Sequence, residues 1–172
     1  KALGSRVGCA VLLTLLKEEL PLDCTFVFTA QEEVGNRGAF GAGFSVTPEL
    51  ALVLDGADTA DAPGVPAHKR GCTLGKGVVL PVMDKGSIVA RGLFEELRSL
   101  AERETILWQT SGSIPGKTDA AALQRTKAGV RTAMLSVPVR YHHTPSGLVS
   151  LGDVDGMLAL TRAFLSDLAE KE

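Results

Sequence analysis

Cysteine is scarce in this 172-residue chain: Cys9, Cys24 and Cys72 are three in number, and none stands in CxxC spacing. An odd count without paired spacing argues against a disulfide framework and against a cysteine-rich zinc site. Reduced, buried thiols are expected, with Cys9 and Cys24 in the core. Long apolar runs are also missing. The longest, Cys9 to Leu16, is about half of what a bilayer span requires. No signal-peptide pattern opens the chain, so the expectation is a cytoplasmic protein with no membrane partner. Blocks of like charge are absent as well: 18 basic residues face 20 acidic ones, for a net charge of -2. That balance excludes the basic footprint of a nucleic-acid binder. Repeats and low-complexity segments are not found.

What is present is a 45% hydrophobic content, enough for the core of a single domain spanning residues 1–172. A small or peptide-like partner suits such a chain. The first residue is Lys1 and helix-like sequence begins almost at once, the pattern expected of a fragment or of a chain whose beginning is missing.

Hydrophobic periodicity orders the chain. Ser5 is a candidate N-cap for a helix to about Leu20, with Val7, Ala10, Val11, Thr14 and Leu15 at helical spacing before Pro21. Cys24 to Ala30 is rich in β-branched and aromatic residues and reads as a buried strand. A short helix over Arg37 to Phe44 and a second buried strand over Leu50 to Leu54 follow. Residues 56–76 read as a loop, and another strand lies near Val78 to Val82. Ile88, Leu93, Leu97 and Leu100 mark an amphipathic helix from Ser87 to Arg103. Thr105 to Trp108 is strand-like, and a loop with Gly112, Pro115 and Gly116 leads into a helix from Thr118 to about Gln124. A strand over Val130 to Val137 and a helix over Asp153 to Ala169 complete the chain. Strands alternating with helices predict a three-layer α/β/α sandwich with a mostly parallel sheet, whose sites form at the carboxyl ends of strands.

Three expected strand ends carry acids or imidazoles: Glu32 with Glu33, Asp55, and His142 with His143. Carboxylate oxygen and imidazole nitrogen together suit zinc or a similar divalent ion. In a Glu-Glu pair one member can ligate while its neighbour serves as general base on metal-bound water. Each signal alone has a plainer reading: an EE in a loop is commonly solvated surface, an Asp at a strand end commonly caps a helix, and histidines are commonly structural. The conjunction is what points to a metal site.

FTAQEEVGNRGA, VLDGADTADAPG, LGKGVVLPVMD, GKTDA and VPVRYHHTP, in this order, resemble the M42 family of metallo-aminopeptidases over essentially the whole chain. The resemblance implies a zinc-peptidase fold, zinc or cobalt as two divalent ions per site, short peptides as substrates and a homo-oligomer. It also implies Glu32 as general base, Glu33, Asp55 and His143 as metal ligands, and Thr118 and Asp119 in a turn that supports the site or faces the substrate. His142 falls on a variable position and is not expected to ligate.

Three departures qualify it. The family reads like K-A-x-D-D-R at the start, its first Asp bridging the two ions, where this chain has Gly4 and Ser5. A family histidine upstream of an inserted β-barrel domain has no counterpart, and Gly147 stands where the family usually carries Glu. Three of five ligands remain, so at most one weakly held ion and impaired peptidase activity are expected. A fragment, an engineered core and a degenerate paralogue all fit this pattern, and a non-catalytic scaffold or assembly subunit is the alternative function. Lys117, Arg140 and the run His68 to Arg70 could favour acidic side chains but are more commonly plain surface.

Overall fold

The computed structural model describes residues 1–111 and 116–171; Gly112 and Pro115 of the expected loop lie outside them. Among the described residues the helices are α1 (Leu3–Leu15), α2 (Arg37–Val46), α3 (Arg91–Arg103), α4 (Ala120–Leu123) and α5 (Leu151–Ala169). The strands are β1 (Leu50–Asp58), β2 (Val78–Val79), β3 (Trp108–Gln109) and β4 (Arg131–Val139). They form one sheet in the order β1-β4-β2-β3. The long pair, edge strand β1 and its neighbour β4, is parallel, with Leu50 opposite Arg131 and Asp58 opposite Val139. β2 and β3 are also parallel, whereas β2 meets β4 antiparallel.

Sequence pattern explains the packing. Val7, Val11 and Leu15 are buried at i, i+4 and i+8 of α1. Leu93, Leu97 and Leu100 are buried at i, i+4 and i+7 of α3, and Met157, Leu160 and Phe164 at i, i+3 and i+7 of α5. These side chains share one hydrophobic core with Ala133, Leu135 and Val137 of β4. Met134, between them on the strand, turns its sulfur the other way, toward the Thr118 and Ser87 hydroxyls at 3.2 and 3.8 Å. α4 packs on β4 and β1 and carries α2, while α1, α5 and α3 contact one another in series. The result is the three-layer α/β/α arrangement, with the sheet mostly parallel.

Several elements differ from expectation. Cys24 to Ala30 forms no ladder, and its Val27 and Phe28 are exposed: β propensity makes a strand only where another strand accepts its hydrogen bonds. Cys24 is accordingly exposed and Cys9 half-buried, and Cys72 alone is buried. α1 stops at Leu15, five residues short of Leu20. The N-cap of α1 is Ala2; Ser5 lies at a break in the helix and gives its hydroxyl to the Leu54 carbonyl at 3.4 Å rather than capping a helix amide. α3 begins at Arg91 rather than Ser87, so Ile88 lies outside it and is exposed. α4 is one turn, Ala120–Leu123, rather than Thr118 to Gln124. β1 continues through Asp58, which puts Asp55 inside the strand instead of at its end.

Candidate functional site

Glu32 and Glu33 sit in a tight turn rather than on a strand. The Glu32 carbonyl accepts the Gly35 and Asn36 amides at 3.0 and 2.9 Å, and α2 starts directly after. The backbone here is left-handed at Gln31 and Asn36, with φ of 61° and 55°. Across the site the same holds at Tyr141 and His143, with φ of 57° and 58°. Non-glycine residues in that region are uncommon and gather at functional sites.

Asn36 is the connector. Its Nδ2 donates to Glu32 Oε1 at 2.9 Å and to Asp119 Oδ1 at 3.3 Å, and it is buried. Thr29 donates its hydroxyl to Asp119 Oδ2 at 2.5 Å. Asp119 is thereby fixed just ahead of α4 and drawn to the turn that carries Glu32. Asp55, opposite Ser136 in the ladder, accepts its own neighbour's amide, from Gly56, at 2.7 Å.

Electrostatics bind these acids into one cluster. Burial, followed by the charges of Asp55, Asp119 and Glu33, raises Glu32 to about 7, against the hydrogen bond from Asn36. Burial likewise pushes Asp55 up, opposed by the hydrogen bond from the Gly56 amide. Among the described residues no lysine or arginine is ion-paired with Glu32, Glu33, Asp55 or Asp119.

The histidines come from the loop after β4. Arg140 and Leu148 exchange backbone hydrogen bonds at 2.9 and 3.0 Å, closing residues 141–147 into a short loop. His143 Nε2 lies 3.4 Å from Glu33 Oε1, both side chains being exposed. His142 stacks on His143, ring centroids 4.1 Å apart and planes 25° from parallel. Burial, with the neighbouring His143, lowers the pKa of His142. Arg140 is not a free cation for acidic side chains: it is committed to Asp61, through Nε at 2.9 Å and Nη2 at 2.6 Å.

The donor chemistry fits a divalent cation. Of the clustered carboxylates, one, Glu33, faces an imidazole, that of His143, and both donor types bind zinc. The arrangement itself brings two donors together, Glu33 and His143; among the described residues no three His, Cys, Asp or Glu side chains are grouped closely enough to hold an ion. Gly4 adds no side chain.

The family model of the M42 glutamyl aminopeptidases matches residues 1–160. The chain belongs to the M42 family. Lysyl aminopeptidase of Pyrococcus furiosus is 37% identical to it over 147 residues, 85% of this chain and 41% of that protein. Among solved structures, an aminopeptidase from Desulfurococcus kamchatkensis superposes with a TM-score of 0.89 at 35% identity, covering 96% of this chain and 48% of that one. TET1 peptidase of Pyrococcus horikoshii, which can assemble into a tetrahedron or a large octahedral shell, gives 0.77 at 30% identity, covering 95% and 48%. The chain spans about half the length of the curated relatives it matches. Among the described residues no helix of this M42 chain is long and apolar enough to cross a membrane.

Three participants escaped the sequence reading. Asn36 lies four residues after Glu32, a spacing that lets side chains meet, yet nothing local marks its reach to Asp119. Asp84, which holds Thr118, and Asp61, which holds Arg140, are recognisable only once the fold places partners 34 and 79 residues apart in contact.

Proposed function

We propose that this chain carries the peptide-cleaving portion of a metal-dependent aminopeptidase that removes N-terminal residues from short peptides. The observation that carries this reading is Glu32, tied through Asn36 to Asp119 and set beside the Glu33–His143 pair. A carboxyl group with a pKa of about 7 can take a proton from water and return it at neutral pH. In the reaction Glu32 accepts the proton of the attacking water as the new C–O bond forms. It then delivers that proton to the nitrogen of the breaking C–N bond, so the peptide leaves as a free amine. Thr29 and Asn36 hold Asp119 on the same side, where a carboxylate can receive the substrate's ammonium group.

Glu33, Asp55 and His143 are the residues that would hold zinc or cobalt, which supplies Lewis acidity to the scissile carbonyl and acidifies water. With no side chain at Gly4, one weakly held ion and reduced turnover are the expectation. A non-catalytic subunit that keeps the fold is the second reading, favoured by the absence of any grouping of three donors among the described residues. Assembly into a homo-oligomer is part of the proposal, supported by the assembling TET1 relative.

The test is metal content per chain after dialysis against zinc or cobalt, followed by hydrolysis of an unblocked dipeptide. About one ion per chain and slow, Glu32-dependent cleavage support the enzyme. No bound ion and no cleavage leave the non-catalytic subunit.

A further inference from the structure

A Cβ built on Gly4 would lie 2.2 Å from Nε2 and 2.4 Å from Cδ2 of His142. One built on Gly56 would lie 3.4 Å from the same Nε2 and 3.3 Å from the Gly4 Cα. The ring of His142 therefore rests on two bare backbone positions, one opening α1 and one on β1. Non-bonded carbon and nitrogen do not approach closer than about 3 Å, so one of the two groups must shift. A side chain at position 4 and the ring of His142 cannot both keep these positions, so the ring would have to move.

The seat meets the Nε2–Cδ2 edge of this ring, and a face of the ring stacks on His143, whose Nε2 faces Glu33. The loop is pinned to the start of α1 by the Ala2 amide, which donates to the Pro145 carbonyl at 3.0 Å. A continuous set of contacts thus runs from the Gly4–Gly56 seat through His142 to His143 and Glu33. His143 is exposed and has a left-handed backbone, so its direction is not set by core packing.

We propose that His142 is the positioning residue of this site: its imidazole fills the place that a side chain at position 4 would take and from there backs His143 toward Glu33. The departure at Gly4 is then one half of a pair whose other half is His142. Restoring an acid at position 4 alone would displace the ring and disturb His143 instead of completing the site. Where the consequence concerns zinc, the inference rests on the metal-site reading above. The seat itself does not.

Two readouts separate them. The first, on metal-free protein, is the His143 ring Cε1 proton resonance in the parent, Gly4→Ala, His142→Ala and the double variant. Gly4→Ala should move the resonance in the parent background and leave it unmoved in the His142→Ala background, the signature of a shared site. Equal shifts in both backgrounds would overturn the seat. Should Gly4→Ala fold poorly, the double variant decides: a melting temperature equal to that of His142→Ala supports the seat, and one as low as Gly4→Ala alone overturns it. The second readout is the zinc Kd. His142→Phe, which keeps a flat ring but no nitrogen, should stay within about threefold of the parent. His142→Ala should weaken binding by about tenfold, as loss of a group orienting a metal-bound histidine does. If His142→Phe binds as weakly as His142→Ala, the ring nitrogen itself is needed and the positioning role is wrong. A parent that binds no zinc overturns the metal-site reading, while the proton resonances still decide the seat.

Discussion

Both hydrogen-bond donors of Thr118, its amide and its hydroxyl, meet the same oxygen of Asp84, Oδ2, at 2.9 and 2.8 Å. The other oxygen accepts the Gly86 and Ser87 amides at 2.7 and 2.6 Å. Only 3% of Asp84 is exposed. Burial pushes such a carboxyl toward its neutral form, but the hydrogen bonds prevail and hold it below the usual carboxylate range.

Asp84→Ala leaves four donors without their acceptor in a buried place, which should cost about 3 kcal/mol. For a chain of this size that is a fall in Tm of roughly 6–12 °C. Thermal denaturation followed by circular dichroism checks it. A change of less than about 2 °C would show that water replaces the carboxylate.

Arg140 and Asp61 should produce a stability loss at acid pH. The guanidinium hydrogen bonds hold Asp61 at about 2, against an ordinary value of 3.8. A depressed folded-state pKa means that the unfolded chain binds the proton more readily. The contribution is therefore full above about pH 4 and is lost as pH falls toward 2. The urea midpoints of the parent and Asp61→Asn should differ above about pH 4 and converge near pH 2. A gap that is constant across that range would remove the ion pair from the account.

Leu97 and Ile88, both apolar and both on the stripe read from sequence, should behave differently on truncation. Leu97 is 2% exposed within α3, whereas Ile88 is 66% exposed ahead of it. Leu97→Ala should cost about 3 kcal/mol through lost contacts and an unfilled cavity. Ile88→Ala should stay within about 0.5 kcal/mol. Denaturant unfolding of the two variants measures both, and equal losses would mean that the helix starts earlier.

This contrast shows what a linear pattern can carry. Periodicity located α3 and α5 because their buried faces are set by 3.6-residue spacing, which needs no partner to be recognised. It overextended α3 to Ile88, since an apolar residue at the right phase need not be helical. The unpaired Cys24–Ala30 segment was misread for a related reason: strand formation depends on a neighbour that sequence does not name. At the site, residue type and motif order pick out Glu32, Glu33, Asp55 and His143 as candidates, and the fold sets Glu33 beside His143 and ties Glu32 to Asn36. Their supports were not legible in sequence, because Asn36, Asp61 and Asp84 act across contacts that chain folding alone creates. The clash between position 4 and His142 was hidden for the same reason: in sequence the two residues are far apart, and only the loop after β4 brings the ring onto Gly4.

Glu32 should give the opposite pH signature to Asp61. Burial first, then the charges of Asp55, Asp119 and Glu33, raise it from 4.5 to about 7. A raised folded-state pKa means that the native chain holds the proton more tightly than the unfolded chain. The metal-free protein is thus favoured below about pH 4.5 and loses that contribution as pH rises through 7. Glu32→Gln keeps an oxygen for the Asn36 amide and carries no charge, so it should melt above the parent at about pH 8 in chelator and equal it near pH 4.5. Zinc should narrow the difference at the higher pH, because a cation among these carboxylates offsets the repulsion that the substitution removes. If the variant is no more stable than the parent at the higher pH, the carboxylates are not crowded as described. Glu32 would then lack the near-neutral pKa on which its role as a proton acceptor depends.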